Sequence, residues 1–287
     1  MACDKLNCGI IPLDKTMLTF SLKSVARAVL ALAMTVGSAS LAKDGYRMVF
    51  AEEFDGPSLN RSVWNTTMAF IGRNGSRHHN SSYLSYSTDE DVILADGTLR
   101  LRADAVPIEG TDPVGTFDYT QGLISTHDHF AFTYGYVEVR AKMPAGKGIW
   151  PTIWLMPSDH SWPPEFDIVE YYATPRHVRF GLASGTAREV HWDDALFTLP
   201  AVETEWHTYA LLWEQGHAVW FLDGEAKLEV WGSQVPEKPM YLLLNNGVSS
   251  RFGPSGEPDG STVFPNFLEV DYVRVSQRPE AMEKLAP

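Results

Sequence analysis

The sequence has little cysteine, few basic residues and no hydrophobic run long enough to span a membrane. Its two cysteines, Cys3 and Cys8, both precede the second methionine, Met17. A domain built from the chain after Met17 therefore contains no disulfide, and its stability has to come from a buried core. The chain has 287 residues, which is long enough to form such a core.

The shortage of positive charge excludes one class of partner. The chain has 23 Lys and Arg residues against 36 Asp and Glu residues, for a formal net charge of −13. Binding of nucleic acid requires concentrated Lys and Arg, so we expect no nucleic-acid partner. The acidic balance also disfavours strongly sulfated polyanions as ligands, unless a local basic cleft overrides it.

Residues 1–42 are predicted to be an N-terminal extension and a signal peptide, with Met17 as the real start. A positive charge, a short apolar run and a small-x-small cleavage pattern follow one another at Lys23 and Arg27, Ala28–Val36, and Ser40-Leu41-Ala42. The apolar run is too short for a permanent membrane helix. We therefore expect a secreted or periplasmic protein without a membrane partner.

The remaining residues, 43–287, are predicted to form a single all-β domain. No segment shows a sustained 3.6-residue apolar period, and short alternating segments are separated by turns rich in Gly and Pro. This pattern is typical of a β-sandwich or jelly roll. Residues 57–92 are expected to be mostly loop, and Trp206, Trp213 and Trp220 are expected in the core. The predicted strands are 46–50, a hairpin over 92–103, 121–125, 135–143, 149–156, 176–183, 206–215, 218–222, 226–231, 239–245 and 267–276.

One short stretch, Glu165-Phe166-Asp167-Ile168-Val169-Glu170, carries three carboxylates among residues that favour strands. On a regular strand Glu165 and Asp167 share a face and Glu170 points to the other face. A single β-bulge between Asp167 and Glu170 would return Glu170 to the face of its partners. Carboxyls held this close have pKa values that are pushed apart, which is what a glycosidase requires.

Aromatic residues and histidines are the side chains of this sequence that could bind sugar and metal, respectively. Sugar rings have apolar C–H faces that pack on aromatic rings, so the aromatic residues around the acids are candidate substrate-binding residues: Trp150, Trp154, Trp162, Tyr171, Tyr172 and Trp192. His127-Asp128-His129 lacks a third ligand at zinc-site spacing and is expected to be a solvated loop.

Six segments, in order, resemble glycoside hydrolase family 16, the laminarinase, lichenase and agarase group. They are Val49–Gly56, the run Tyr134–Pro144 with Gly148–Pro157, the bulged motif Glu165–Glu170, Trp206–Trp213, Phe221–Gly224 and Val270–Val275. The resemblance implies a concanavalin-like jelly roll made of two antiparallel sheets with a concave substrate cleft. It also implies a retaining mechanism, with Glu165 as nucleophile, Glu170 as general acid/base and Asp167 as their assistant.

The resemblance also implies ligand positions outside the acid motif. Trp150 and Trp154 would lie in the cleft, and Asn80 would begin a substrate-binding loop. No cofactor is expected for catalysis, but a structural calcium ion is implied at Glu53, Asp271 and a carbonyl near Gly97, because oxygen ligands suit Ca²⁺.

Two departures from the family pattern affect substrate binding. The loop that begins at Asn80 lacks the acidic residue of many members, and the strand at Arg179–Gly185 lacks a histidine that laminarinases often carry. Hydrolysis remains the prediction, and the expected protein is a monomeric endo-acting hydrolase of β-1,3- or β-1,3/1,4-glucan. The alternatives are hydrolysis of agarose, another galactan or a bacterial exopolysaccharide, transglycosylation on the same scaffold, and a noncatalytic lectin.

Overall fold

The computed structural model describes residues 45–70, 73–173, 176–199 and 203–280. These residues all belong to one compact unit. The predicted signal peptide, Met17 and both cysteines lie outside the described residues. Within the described part of the chain, no helix has the length and the apolar character needed to cross a membrane.

The described residues form twenty strands and one short 3₁₀ helix, Asp89–Asp91. The strands are β1 (Arg47–Glu52), β2 (Met68–Phe70), β3 (Arg73–Ser76), β4 (Ser85–Ser87), β5 (Val92–Ala95), β6 (Thr98–Asp104), β7 (Ile108–Thr111), β8 (Val114–Phe117), β9 (Tyr119–Gln121), β10 (Leu123–Ser125), β11 (Gly135–Lys142), β12 (Ile149–Pro157), β13 (Glu165–Ala173), β14 (Arg176–Thr186), β15 (Glu189–Thr198), β16 (His207–Glu214), β17 (His217–Leu222), β18 (Glu225–Trp231), β19 (Met240–Val248) and β20 (Asn266–Gln277).

Two large sheets give the β-jelly-roll sandwich that the sequence predicted. The six-stranded sheet has the order β10-β19-β12-β13-β14-β15. The ten-stranded sheet has the order β18-β17-β16-β11-β20-β6-β9-β4, with β1 paired to β20 and β5 to β6. Pairing is antiparallel except between β4 and β9, which are parallel. Two separate hairpins, β2-β3 and β7-β8, complete the described strands.

The main core lies between the two large sheets. Phe166, Ile168 and Val169 of β13 are completely buried there, as are Trp213 of β16 and Trp220 of β17. Tryptophan rings from one sheet therefore pack directly beneath the strand that carries the three acids. The prediction that Trp213 and Trp220 are core residues is confirmed.

The prediction for Trp206 is wrong. Trp206 precedes β16 and is only partly buried, because its ring lies on the outer side of the ten-stranded sheet. The charged groups of Arg140 and Lys142 lie 5.0 and 5.6 Å from its ring centre. Cation–π contacts with long basic side chains, and not the core, cover this ring.

Most predicted strands are confirmed within a few residues at each end. The hairpin over 92–103 turns at Asp96 and Gly97, both with positive φ (55° and 69°), as a two-residue hairpin turn requires. The loop prediction for 57–92 missed β2, β3 and β4. The strand predictions also missed β7, β8 and β15. In β15, apolar and polar residues are mixed on both faces, so alternation does not indicate the strand.

Candidate active site

A β-bulge in β13 places all three acids on one face, as the sequence predicted. Asp167 pairs with Gly181 of β14 and Glu170 pairs with Arg179, so three steps along β13 match two along β14. The pairing with β12 shifts at the same place. Because the extra residue is absorbed here, Ile168 and Val169 are both buried while Glu170 returns to the face of Glu165 and Asp167.

These acids line a cavity of about 540 Å³ on the outer face of the six-stranded sheet. This volume lies in the usual range of roughly 300–1,000 Å³ for ligand pockets. Strands β12 to β15 and the loop before β4 supply the walls. The lining residues are His79, Asn80, Tyr83, Trp150, Thr152, Trp154, Trp162, Glu165, Asp167, Glu170, Tyr172, Arg179, Trp192 and Pro254.

Glu165 is held at one end of the acid row. The Trp162 indole N–H donates to its Oε2 at 2.8 Å. Burial, and next the charge of Glu170, raise the pKa of Glu165 to about 7. A carboxyl with this pKa changes its protonation state near neutral pH, so the ionised fraction of Glu165 depends on pH in that range.

Asp167 lies between the two glutamates and is almost completely buried. Burial, and next the charges of Glu170 and Glu165, raise the pKa of Asp167 well above its usual range. A hydrogen bond between Asp167 and Glu165 raises the pKa of Asp167 and lowers that of Glu165. Asp167 is thus the proton-bearing partner and donates to the Glu165 carboxylate.

Glu170 accepts hydrogen bonds from three different side chains. The Trp150 indole N–H donates to Oε1 at 2.9 Å, and the Tyr172 hydroxyl donates to Oε2 at 3.0 Å. The third donor is Nη1 of Arg179, which also donates to Oδ2 of Asp167 at 2.8 Å. These donors fix the orientation of the Glu170 carboxylate toward the cavity.

Arg179 lies on β14 beside the acid row and is a component that the sequence prediction missed. Its side chain is only 11% exposed. Besides Asp167 and Glu170, it contacts Asp194 of β15, whose Oδ2 accepts from Nε at 2.9 Å. The Trp192 ring centre lies 4.3 Å from the guanidinium carbon. The alternation of β14, in which Arg179 and Gly181 share a face, could have indicated this position.

Strand β12 places Trp150 and Trp154 on the cavity side, but their surroundings differ. The ring of Trp150 stacks on Tyr83 with centres 4.4 Å apart and planes 9° apart. Trp154 is only 2% exposed, because it packs in a second apolar cluster with Met68 of the β2-β3 hairpin. Its indole N–H donates to Asn245 at 2.9 Å. Trp150 therefore offers more surface to a ligand than Trp154 does.

Four other predicted substrate-binding residues also line the cavity: Asn80, Trp162, Tyr172 and Trp192. The prediction for Tyr171 is wrong, because its side chain is completely buried in the main core. Trp192 lies at the edge strand β15 and is 37% exposed. The sequence prediction missed His79, Tyr83, Thr152 and Pro254 as well as Arg179. Of these, His79, Tyr83 and Pro254 come from loops, whose positions no periodic pattern indicates.

The predicted calcium ligands do not fit a calcium ion as they are arranged. Both carboxylate oxygens of Glu53 accept hydrogen bonds from Arg274, at 2.8 and 2.7 Å. Asp271 is paired with Arg140 at 2.6 Å. Across the described residues, no three His, Cys, Asp or Glu side chains gather as metal ligands would. The calcium site at Glu53, Asp271 and Gly97 thus stays a prediction that these arginine contacts do not support.

The prediction of a solvated loop at residues 127–129 is wrong for its first residue. His127 is buried, with Nδ1 2.7 Å from the Ser125 hydroxyl. Asn65 donates to its backbone carbonyl at 2.8 Å. Burial lowers the pKa of His127, so it serves as a neutral part of the packing beside β10.

Comparison with known proteins shows that the chain is similar to glycosyl hydrolases in both sequence and structure. The model of glycosyl hydrolases family 16 matches residues 79–249, a span that contains all three acids. The chain is 29% identical over 255 residues to an endo-1,3-1,4-beta-glycanase, ExsH, of Rhizobium meliloti (strain 1021), a match that covers 82% of this chain and 52% of that protein. It is 31% identical over 198 residues to a second endo-1,3-1,4-beta-glycanase of the same strain, EglC, covering 68% of this chain and 41% of that protein.

The chain thus spans about half, or less, of the length of these two curated relatives. A solved structure matches over nearly its whole length: the catalytic domain of an endo-1,3-beta-glucanase (laminarinase) from Thermotoga petrophila RKU-1. The TM-score is 0.70 at 26% identity, and the match covers 82% of this chain and 98% of that one.

Proposed function

The chain belongs to glycosyl hydrolases family 16, and from that premise we propose that it is a retaining endo-hydrolase of β-glycans. The substrate that we propose is β-1,3- or mixed β-1,3/1,4-glucan. The observation that carries the proposal is the bulge in β13, which brings Glu165, Asp167 and Glu170 together on the wall of one cavity.

The first chemical step uses the two glutamates in different roles. Glu165 attacks the anomeric carbon and forms a covalent glycosyl-enzyme ester, while Glu170 gives a proton to the departing glycosidic oxygen. The hydrogen bond from Asp167 keeps the Glu165 carboxylate ionised and oriented. The Trp162 N–H donates a second hydrogen bond to the Glu165 carboxylate, at Oε2.

The second step reverses the proton transfer. Glu170, now ionised, takes a proton from water as that water attacks the anomeric carbon and releases Glu165. The Arg179, Tyr172 and Trp150 donors stabilise the ionised form of Glu170 at this stage. Glu165 and Asp167 share a hydrogen bond and affect each other's pKa, so Asp167 can share a proton with Glu165 as the charge moves.

The choice of substrate rests on the relatives and on the walls of the cavity. Two relatives are named as acting on 1,3-1,4-beta-glycan and one solved structure on 1,3-beta-glucan. The stacked pair Tyr83 and Trp150 offers an aromatic face beside the acids. The one basic side chain among the lining residues, Arg179, is engaged by Asp167, Glu170 and Asp194, so little positive charge is left for an anionic ligand, which favours an uncharged sugar chain.

The test is release of reducing sugar from a panel of polymers: laminarin, lichenan, agarose, succinoglycan and porphyran. We expect cleavage of laminarin or lichenan with retention of anomeric configuration, measured by NMR of the first products. The Glu165→Gln variant should lose about 10³-fold or more in kcat because it lacks the nucleophile. Asp223→Asn, a change of an exposed acid at the turn after β17, is the matched control.

Different outcomes distinguish the alternatives. Release of reducing sugar by Glu165→Gln at the wild-type rate would contradict the assignment of Glu165 as the nucleophile. Cleavage of agarose, porphyran or succinoglycan alone would overturn the glucan assignment while leaving the reaction intact. Tight binding of one polymer without cleavage of any would favour a lectin, and transfer to added oligosaccharide in place of water would identify a transglycosylase.

We also propose that the protein is exported and acts as a monomer. Export rests on the signal pattern of residues 17–42. N-terminal sequencing of the protein recovered from the periplasm or medium should give a chain that begins at Lys43. Recovery only from the cytoplasm, with the N terminus intact, would contradict this proposal, and size-exclusion chromatography with light scattering tests the monomer.

A further inference from the structure

We propose that Trp220, a fully buried residue of the opposite sheet, is a positioning residue that fixes the bulge in β13 and thereby the two glutamates that the bulge aligns. Its indole N–H donates to the backbone carbonyl of Asp167 at 2.8 Å. The inference rests on the proposed function, since it assigns Trp220 a role in the same reaction. Trp220 itself lines no part of the cavity.

The contact lies at the point where the strand pairing is irregular. The pairing of β13 shifts between Asp167 and Glu170 on the β14 side, and the pairing with β12 shifts beside Asp167. A bulge disrupts the ladder of backbone hydrogen bonds and leaves a residue unpaired. The indole N–H of Trp220 reaches across the core and supplies a donor at this point.

The physical reason for the contact is the cost of burying an unpaired carbonyl. Phe166, Ile168 and Val169 are completely buried, so water cannot replace a lost donor easily. A buried carbonyl without a partner is unfavourable, and the backbone would rearrange to find one. Such a rearrangement moves the Asp167 and Glu170 side chains, which leave the same backbone segment on the cavity side.

A second tryptophan provides a matched comparison. Trp213 is also completely buried, packs edge-on against Phe166 with ring centres 5.3 Å apart, and donates its indole N–H to a backbone carbonyl at 2.8 Å. The corresponding centre distance for Trp220 and Phe166 is 5.6 Å. The difference is the acceptor, because Trp213 bonds to Pro236, which is not part of β13.

The experiment compares Trp220→Phe with Trp213→Phe, two changes that keep an aromatic ring and remove the N–H. We expect both variants to lose thermal stability to a similar extent. Trp220→Phe should lower kcat about tenfold to a hundredfold with KM within about twofold, because misplaced catalytic groups slow the chemical step. Trp213→Phe should keep kcat within about twofold of wild type. An equal fall of kcat in the two variants would overturn the proposal, as would an unchanged kcat in Trp220→Phe.

A second measurement does not depend on the substrate. Hydrogen–deuterium exchange, followed by mass spectrometry of a peptide that covers β13, should be faster in Trp220→Phe than in Trp213→Phe at matched temperatures below each melting point. If exchange is faster in Trp220→Phe but the wild-type protein cleaves no glucan, the proposed function is wrong, whereas the role of Trp220 in fixing the bulge is supported. Equal exchange in the two variants would contradict the positioning role even if wild type is active.

Discussion

At the scale of single residues, the three acids differ in what surrounds them, and the roles proposed for them can be compared with that difference. Glu165 accepts from Trp162 and Asp167, whereas Glu170 accepts from Trp150, Tyr172 and Arg179. A neutral donor set suits a group that must attack carbon. The guanidinium beside Glu170 stabilises a carboxylate, which is the form that the second step of the proposed reaction requires.

The first prediction concerns the pH dependence of kcat/KM. Below its pKa, Glu165 is protonated and cannot attack, so activity falls as the pH falls through that value. Because burial and Glu170 raise this pKa to about 7, the acid limb should lie well above the range of an ordinary glutamate. The measurement is kcat/KM on soluble laminarin or lichenan from pH 4 to 9. A rate that stays constant down to pH 5 would contradict the assignment.

The second prediction concerns Arg179→Gln. The charge of Arg179 lowers the pKa values of Glu165 and Asp167, so removing it should raise both and move the acid limb to higher pH. The orientation of Glu170 is also lost, and kcat should fall about tenfold. Arg176→Gln on the same strand is the control, because Arg176 is exposed and pairs with Glu203. An acid limb that moves equally in both variants, or downward in Arg179→Gln, would exclude this role.

At the scale of elements, β13 is the strand on which the site depends, and its bulge is what makes three acids face one way. The third prediction is that deletion of Ile168 leaves a folded protein. Between Asp167 and Glu170, β13 then advances by two residues, as β14 does between Gly181 and Arg179. Glu170 therefore stays on the cavity face by ordinary alternation. Loss of one buried aliphatic side chain should lower the melting temperature by several degrees. Residual activity should remain detectable and should disappear when Glu165→Gln is added.

The control is deletion of Leu182 from β14, a fully buried aliphatic residue whose pairing with Phe166 and Asp193 is regular, so no bulge absorbs the change. That deletion turns the residues beyond it to the opposite face of the sheet and should prevent folding. Circular dichroism and thermal melting of both variants give the comparison. Equal failure of the two proteins to fold would show that the bulge cannot be regularised.

The elements also show how far the sequence predicts this site. Period-two alternation predicts β13 and its bulge, because the three acids and three apolar residues of Glu165–Glu170 have to be sorted onto two faces. Alternation gives no information about which loop covers a sheet face. For this reason the stacking of Tyr83 on Trp150, and the cover that the β2-β3 hairpin gives Trp154, come only from the structure. The hydrogen bond from Trp220 to Asp167 joins residues 53 positions apart, and an apolar strand pattern predicts only that Trp220 is buried.

At the scale of the whole molecule, charge and cavity act in the same direction. The chain has a formal net charge of −13, and the residues that line the cavity include Glu165, Asp167 and Glu170 but one basic side chain, Arg179. Arg179 is already engaged by carboxylates, so little positive potential remains for an anionic ligand. An approaching polyanion is therefore repelled by the molecule, and the cavity offers little positive charge to offset that repulsion.

The last prediction follows from this repulsion and uses two polymers that share one backbone. Neutral β-1,3-glucan should be cleaved at a rate that changes little with salt, whereas its carboxymethylated form should be cleaved poorly at low ionic strength. Raising NaCl from 20 to 500 mM shortens the Debye length from roughly 20 Å to about 4 Å and should recover part of the lost kcat/KM. The measurement is kcat/KM for both polymers across that range, with the carboxymethylated polymer at a low degree of substitution. If steric fit of the carboxymethyl group were the cause instead, the ratio of the two rates would not change with salt. If the ratio moved against the anionic polymer as salt rose, the electrostatic account would be excluded.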